Sequence, residues 1–98
     1  MADLTVVAVL VAKPGQEDVV RDALVALVPP TLAEEGCLTY ALSESAASPG
    51  TFVTVESWRA QADVDAHLGT AHVQQALAQA GDALAGPPAI HPLAPLAS

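Results

Sequence analysis

The sequence predicts an α+β protein of the ferredoxin-like type, ordered β-α-β-β-α-β around an antiparallel sheet. Three observations carry that prediction. A valine-rich run from Leu4 to Ala12 stops at Lys13-Pro14-Gly15. Two alternating runs flank a Ser-Ala-Ala-Ser-Pro-Gly loop at 45–50. Stretches with helical spacing follow the first strand and the third. The chain of 98 residues reads as one domain, 1–98, without repeat or linker, in which 86–98 is a Pro-rich edge strand or arm.

In the first strand both parities are apolar, with Leu4, Val6, Ala8 and Leu10 on one side and Val7, Val9 and Val11 on the other. Such a strand lies near the centre of a sheet and is buried on both faces. From Gln16 to Val28 the apolar positions 19, 20, 23, 24, 27 and 28 make one helical stripe, and Glu17 and Asp18 suit the positive end of its dipole. Pro29-Pro30 predicts a kink or an end, because neither proline donates a backbone hydrogen bond and Pro30 disfavours helical geometry at Pro29. A further turn over Thr31 to Glu35 would then close at Gly36 as a C-cap. Cys37 to Glu44 and Thr51 to Trp58 predict an antiparallel hairpin. Ala60 to Leu68 reads as a helix broken at Gly69, and Thr70 as the N-cap of another reaching about Leu84. Pro92 and Pro95 confine the tail from Ala89 to Leu96 to a sheet edge or an extended arm.

With 52% hydrophobic and 14% charged residues the chain has apolar surface to bury, which argues against disorder. The core must be small-grained: 21 alanines, 12 leucines and 12 valines stand against one Phe, one Trp and one Tyr. A net charge of −8 repels phosphate backbones and anionic lipid, so neither nucleic acid nor a membrane surface is an expected partner. The apolar run Val6 to Ala12 is far short of the ~20 residues a bilayer requires, and Asp3 rather than a basic segment precedes it. The expected compartment is the cytoplasm. Cys37, the one cysteine, excludes an internal disulfide. His67 and His72 lie five apart with Gly69 and Thr70 between them, unlike the four-apart pair that faces one way on a helix, so no metal is expected. Two helices cover one face of a four-stranded sheet. The apolar second face of the first strand then predicts a homodimer packed sheet against sheet.

Four motifs follow one pattern in order: Pro14-Gly15 after the valine strand, Glu34-Glu35-Gly36-Cys37-Leu38-Thr39-Tyr40, Phe52-Val53-Thr54-Val55-Glu56-Ser57-Trp58, and Asp65-Ala66-His67-Leu68-Gly69-Thr70-Ala71-His72. Over nearly its whole length the chain resembles the antibiotic biosynthesis monooxygenase family, which includes quinol monooxygenases. The resemblance implies a dimeric α+β barrel with a small-molecule pocket in each protomer. It also implies an oxygenase that needs no flavin, haem or metal. Its small aromatic substrate, an electron-rich phenol or hydroquinone, loses a proton and passes an electron to dioxygen. For that chemistry the protein supplies a dry pocket and groups that accept and return a proton.

Glu56 shares a strand parity with Phe52, Thr54 and Trp58, so its carboxylate is expected among aromatics and suited to proton exchange. The plainer alternative is a solvated glutamate or an ion pair with Arg59 or Arg21. The family motif has Glu here, and His at the position of His67, where an imidazole is the natural proton acceptor for a quinol. The resemblance therefore implies His67 as the catalytic base with Glu56 orienting it; a helix C-terminal cap is the alternative for His67. His72, in the first turn of the next helix, is expected to donate to a substrate oxygen. Trp58, Tyr40 and Phe52 are expected as pocket walls. Cys37 lies beside Glu34 and Glu35, which disfavour a thiolate, and Glu34 is assigned to the turn rather than to a reaction. Where haem-degrading relatives carry an axial histidine this chain has Leu77, which argues against haem. Two other readings stand beside the oxygenase: a cofactor-free isomerase of a small keto compound, and a non-catalytic dimeric module that holds a small ligand.

Overall fold

The computed structural model describes residues 3–97. Valine-rich β1 (Leu4–Val11) takes an inner place in the sheet, between β3 (Thr51–Trp58) and β4 (Ala89–Pro92), and β2 (Cys37–Glu44) pairs with the far side of β3. The order β2-β3-β1-β4 is antiparallel throughout, and both edges stay open within the protomer. Helices α1 (Glu17–Leu32), α2 (Gln61–Leu68) and α3 (Ala71–Ala80) lie on one face, and a 3-10 turn (Gly81–Ala83) leads back toward β4. The α+β, ferredoxin-like prediction holds.

Register builds the floor of the site. Tyr40 pairs with Glu56 and Glu56 with Val6, so these three side chains form one row across the sheet under the helices. Leu42, Thr54 and Ala8 form the next row. Phe52, Thr54, Glu56 and Trp58 are all buried, as their shared parity predicts. Burial of Trp58 and Phe52, the two largest fully buried side chains, contributes about 1.5–3 kcal/mol each. Their opposite parity, with Val53 and Val55, faces away from the helices, and Val55 stays half exposed.

Two local expectations are corrected. Pro29 and Pro30 do not end the helix, which runs through them to Leu32. The carbonyls they leave without donors belong to Val25 and Ala26, both exposed residues that water reaches, while fully buried Thr31 anchors the last turn. Gly36 is not a left-handed cap either, for positive φ occurs only at Gly15 and Gly50 among the described residues. Its role is close approach. A Cβ at Gly36 would sit 2.1 Å from Cγ of Asp63, whose carboxylate is gripped by Arg59. We expect Gly36→Ala to cost about 1–3 kcal/mol, measured by urea denaturation, and to displace the neighbouring Glu34.

Candidate active site

In α2 the buried positions are Val64 and His67, three apart on one face, so the helix carries the imidazole inward in its last turn. At Gly69 the chain then breaks. Thr70 caps α3 by accepting from the Val73 amide at 3.4 Å and ties itself back by donating to the His67 carbonyl at 2.7 Å. That corner turns His72, in the first turn of α3, back toward the end of α1. Both histidines meet Glu34 there.

His67 Nδ1 lies 2.6 Å and His72 Nε2 2.7 Å from the same atom, Oε2 of Glu34. An ionised carboxylate only accepts, so each of these nitrogens carries a hydrogen. In neutral His67 the hydrogen on Nδ1 leaves Nε2 with a free lone pair, the form a general base requires. The His67 ring is 4.8 Å from the Trp58 ring and 5.9 Å from that of Tyr40, and is nearly sealed from solvent.

Glu56 is buried and held by two donors, Thr54 Oγ1 at 2.5 Å and Trp58 Nε1 at 2.8 Å. The ion-pair alternative is excluded by the arginines' own partners. Arg21 pairs with Asp18 and Glu44, and Arg59 with Asp63 and Glu35. Each Glu56 oxygen keeps a lone pair free for a further donor.

Between helices and sheet lies a cavity of about 100 Å³, bordered by His67, Glu56, Tyr40 and Thr54 among aliphatic side chains such as Val6, Leu27, Val73 and Leu84. Pro88 and Ile90 form its rim on the β4 side. A cavity of ~150 Å³ holds benzene, so this smaller space takes a single ring only as its lining yields. No lysine or arginine borders it, which disfavours a phosphorylated ligand. Burial, reinforced by Glu56, Cys37 and Glu34, raises the Tyr40 hydroxyl well above its ordinary range and keeps it a donor. Tyr40 is the only tyrosine, so an ultraviolet titration reads it alone. We expect no tyrosinate near pH 10, where an unfolded chain ionises, and alkaline destabilisation above that pH because only the unfolded state then loses the proton. Cys37 is also raised, first by burial and then by Glu34 and Glu56, and is a poor nucleophile.

The expected site residues do not all line the chamber. His67, Glu56 and Tyr40 do; Trp58 and Phe52 stand behind the wall, and the His72 ring opens on the opposite groove between α1 and α3. The orienting carboxylate differs from expectation as well. The carboxylate on His67 Nδ1 is Glu34, assigned from sequence to the turn, whereas Glu56 bonds Thr54 and Trp58. The five-residue spacing of the histidines, read from sequence as unfavourable for a metal, is what the helix break converts into convergence on one carboxylate. A usable signal was the lack of a free acid on the histidines' own helices: Asp63 faces Arg59 and Asp65 accepts from Gln61.

A ferredoxin-like sheet with a histidine-bordered apolar chamber beneath its helices defines a class, and the sequence assigns the chain within it. The profile of the antibiotic biosynthesis monooxygenase family matches residues 3–79, and the chain belongs to that family. Rv0793 from Mycobacterium tuberculosis is 38% identical over 93 residues, covering 95% of this chain and 91% of the relative. The Escherichia coli K12 protein named "Probable quinol monooxygenase YgiN" is 36% identical over 81 residues, covering 72% of this chain and 78% of its own. The solved structure of Rv0793 superposes with a TM-score of 0.88 at 36% identity, covering 99% of this chain and 98% of that one. PA3566 from Pseudomonas aeruginosa gives 0.88 at 33% identity, with 99% and 97% covered.

Proposed function

We propose that the protein is a cofactor-independent monooxygenase that oxidises a small aromatic quinol or polyketide-like phenol with dioxygen. The observation that carries this reading is His67, fixed through Nδ1 to Glu34 at 2.6 Å while its ring borders an enclosed apolar cavity beneath the helices. The name of the Escherichia coli relative supports a quinol in particular.

His67 Nε2 takes the proton of one substrate hydroxyl, and the imidazolium so formed rests on the Glu34 carboxylate beside the Trp58 ring. Glu56 accepts from the second hydroxyl, and the Tyr40 hydroxyl donates to a substrate oxygen. The electron-rich anion passes an electron to dioxygen, and the radical pair closes a carbon–oxygen bond to the ring. When the O–O bond breaks, His67 returns its proton, the ring carbon that took the oxygen gives up its hydrogen, and the second oxygen atom leaves as water. The substrate supplies all the electrons, so a hydroquinone leaves as a hydroxyquinone. An apolar enclosure protects the radical pair from solvent and side reaction. Oxygen uptake by the chelator-treated protein with a panel of hydroquinones and phenols tests the reading, with one hydroxyquinone expected per dioxygen from a hydroquinone. Ligand-induced thermal stabilisation with no uptake across the panel would make the protein a binding module instead.

The assembly we infer is a homodimer in which the outer sheet faces, carrying Val7, Val9, Val53 and Val55, pack together and bring the two sheets into one barrel. Exposure of Val55 at 50% in a single chain supports it. Light scattering at micromolar concentration is expected to give twice the chain mass, and Val55→Glu the mass of one chain; a monomeric wild type contradicts this assembly. No helix among the described residues is long and apolar enough to cross a membrane. The unpaired Cys37 fits a reducing compartment, and the cytoplasm is the location we assign.

A further inference from the structure

We propose that Glu34, His67 and His72 also form a binding site for a borderline divalent transition-metal cation, of which Zn2+ and Co2+ are the representative probes. Two imidazoles and one carboxylate are the donor set such ions prefer. The three donor atoms lie within 4.8 Å of one another, with Glu34 Oε2 at 2.6 and 2.7 Å from the two nitrogens. Ligand bonds of about 2.0–2.1 Å in tetrahedral geometry place donors about 3.3 Å apart. The carboxylate oxygen must therefore retreat from each nitrogen by less than 1 Å while the nitrogens draw together, movements that side-chain torsions supply. The helix break at Gly69 makes this possible, since the two histidines belong to separate helices and approach the carboxylate independently.

The surroundings favour a cation. Lys13 lies beyond the far end of β1, and both arginines are occupied by carboxylates elsewhere, so no fixed positive side chain competes at Glu34. The net charge of −8 adds a long-range attraction. An entry path exists as well. His72 is one-quarter exposed and borders the groove between α1 and α3, with Pro30, Gln75 and Gln79, so a hydrated ion reaches the triad without crossing the chamber. Three protein ligands leave a position for water on that side.

Binding changes the protons. A metal takes the lone pair of His67 Nδ1, and in the neutral ring the hydrogen moves to Nε2. If His67 is the base of the oxygenase proposed above, the loaded triad cannot accept a substrate proton, and the ion acts as an inhibitor. That consequence rests on the oxygenase reading; the binding itself does not.

Calorimetry with Zn2+ on the untagged, chelator-treated chain tests the site independently of turnover. One ion per chain is expected, and Co2+ should give the intense visible bands of a low-coordinate nitrogen–oxygen site. His72→Gln and Glu34→Gln, each checked for folding by circular dichroism, should weaken binding at least tenfold, while His91→Ala on the exposed β4 edge should leave it unchanged. The proposal is overturned if the wild type shows no saturable binding, if Co2+ keeps the pale spectrum of its hexaaqua form, or if folded His72→Gln and Glu34→Gln bind as tightly as wild type.

Discussion

With His67 replaced by alanine, oxygen uptake on the best hydroquinone is expected to fall by about 10²-fold or more, the usual scale for loss of a general base. Of the groups bordering the chamber, Tyr40 is held protonated by burial, and Glu56 already receives hydrogen bonds from Thr54 and Trp58 on its two oxygens. His67 alone joins an available lone pair to a carboxylate that supports the charge it acquires. The alanine chain should still fold, because the β1–β3 pairing and the buried Trp58 and Phe52 do not depend on the imidazole. Initial rates beside a circular dichroism spectrum separate loss of chemistry from loss of structure. Equal rates in a folded His67→Ala would remove the residue from the mechanism.

Glu34→Gln is expected to lower kcat by about 10–100-fold with KM changed by only a few-fold. Glu34 does not border the chamber, so its loss acts through His67. The amide oxygen can still accept from a ring N–H, which preserves the fold, but the negative charge beneath the imidazolium is gone. Glu34→Ala goes further. It leaves His67 Nδ1–H and His72 Nε2–H without their shared acceptor and is expected to cost about 1–3 kcal/mol in denaturant titrations as well as activity. Steady-state kinetics on the amide variant is the discriminating measurement: a raised KM with normal kcat would mean that Glu34 shapes the substrate site directly.

Strands and hairpin were legible because their information is local. Period-two alternation and the Pro-Gly loop place β2 at Cys37–Glu44 and β3 at Thr51–Trp58, the ranges the structure has. Thr70 announces α3 in the same way, through its own side chain. The proline pair misleads because its cost depends on where the orphaned carbonyls point, and exposure of Val25 and Ala26 makes that cost small. Glu34 was hidden for a different reason. It stands 33 and 38 residues from its two histidines, and its neighbour Glu35 has the same chemistry yet is almost fully exposed. Which of two adjacent glutamates turns inward is decided by α1 meeting the α2–α3 corner, a tertiary fact that no spacing encodes. Family resemblance supplied His67 and Glu56 as candidates; packing supplied the connection between His67 and Glu34.

Long-range proton–nitrogen correlation spectroscopy of the metal-free protein reads the tautomer of each imidazole directly. His67 is expected to carry its hydrogen on Nδ1 and leave Nε2 bare, and a non-oxidisable phenol to shift the Nε2 resonance. A hydrogen on Nε2 in the neutral ring, unaffected by the phenol, would contradict this.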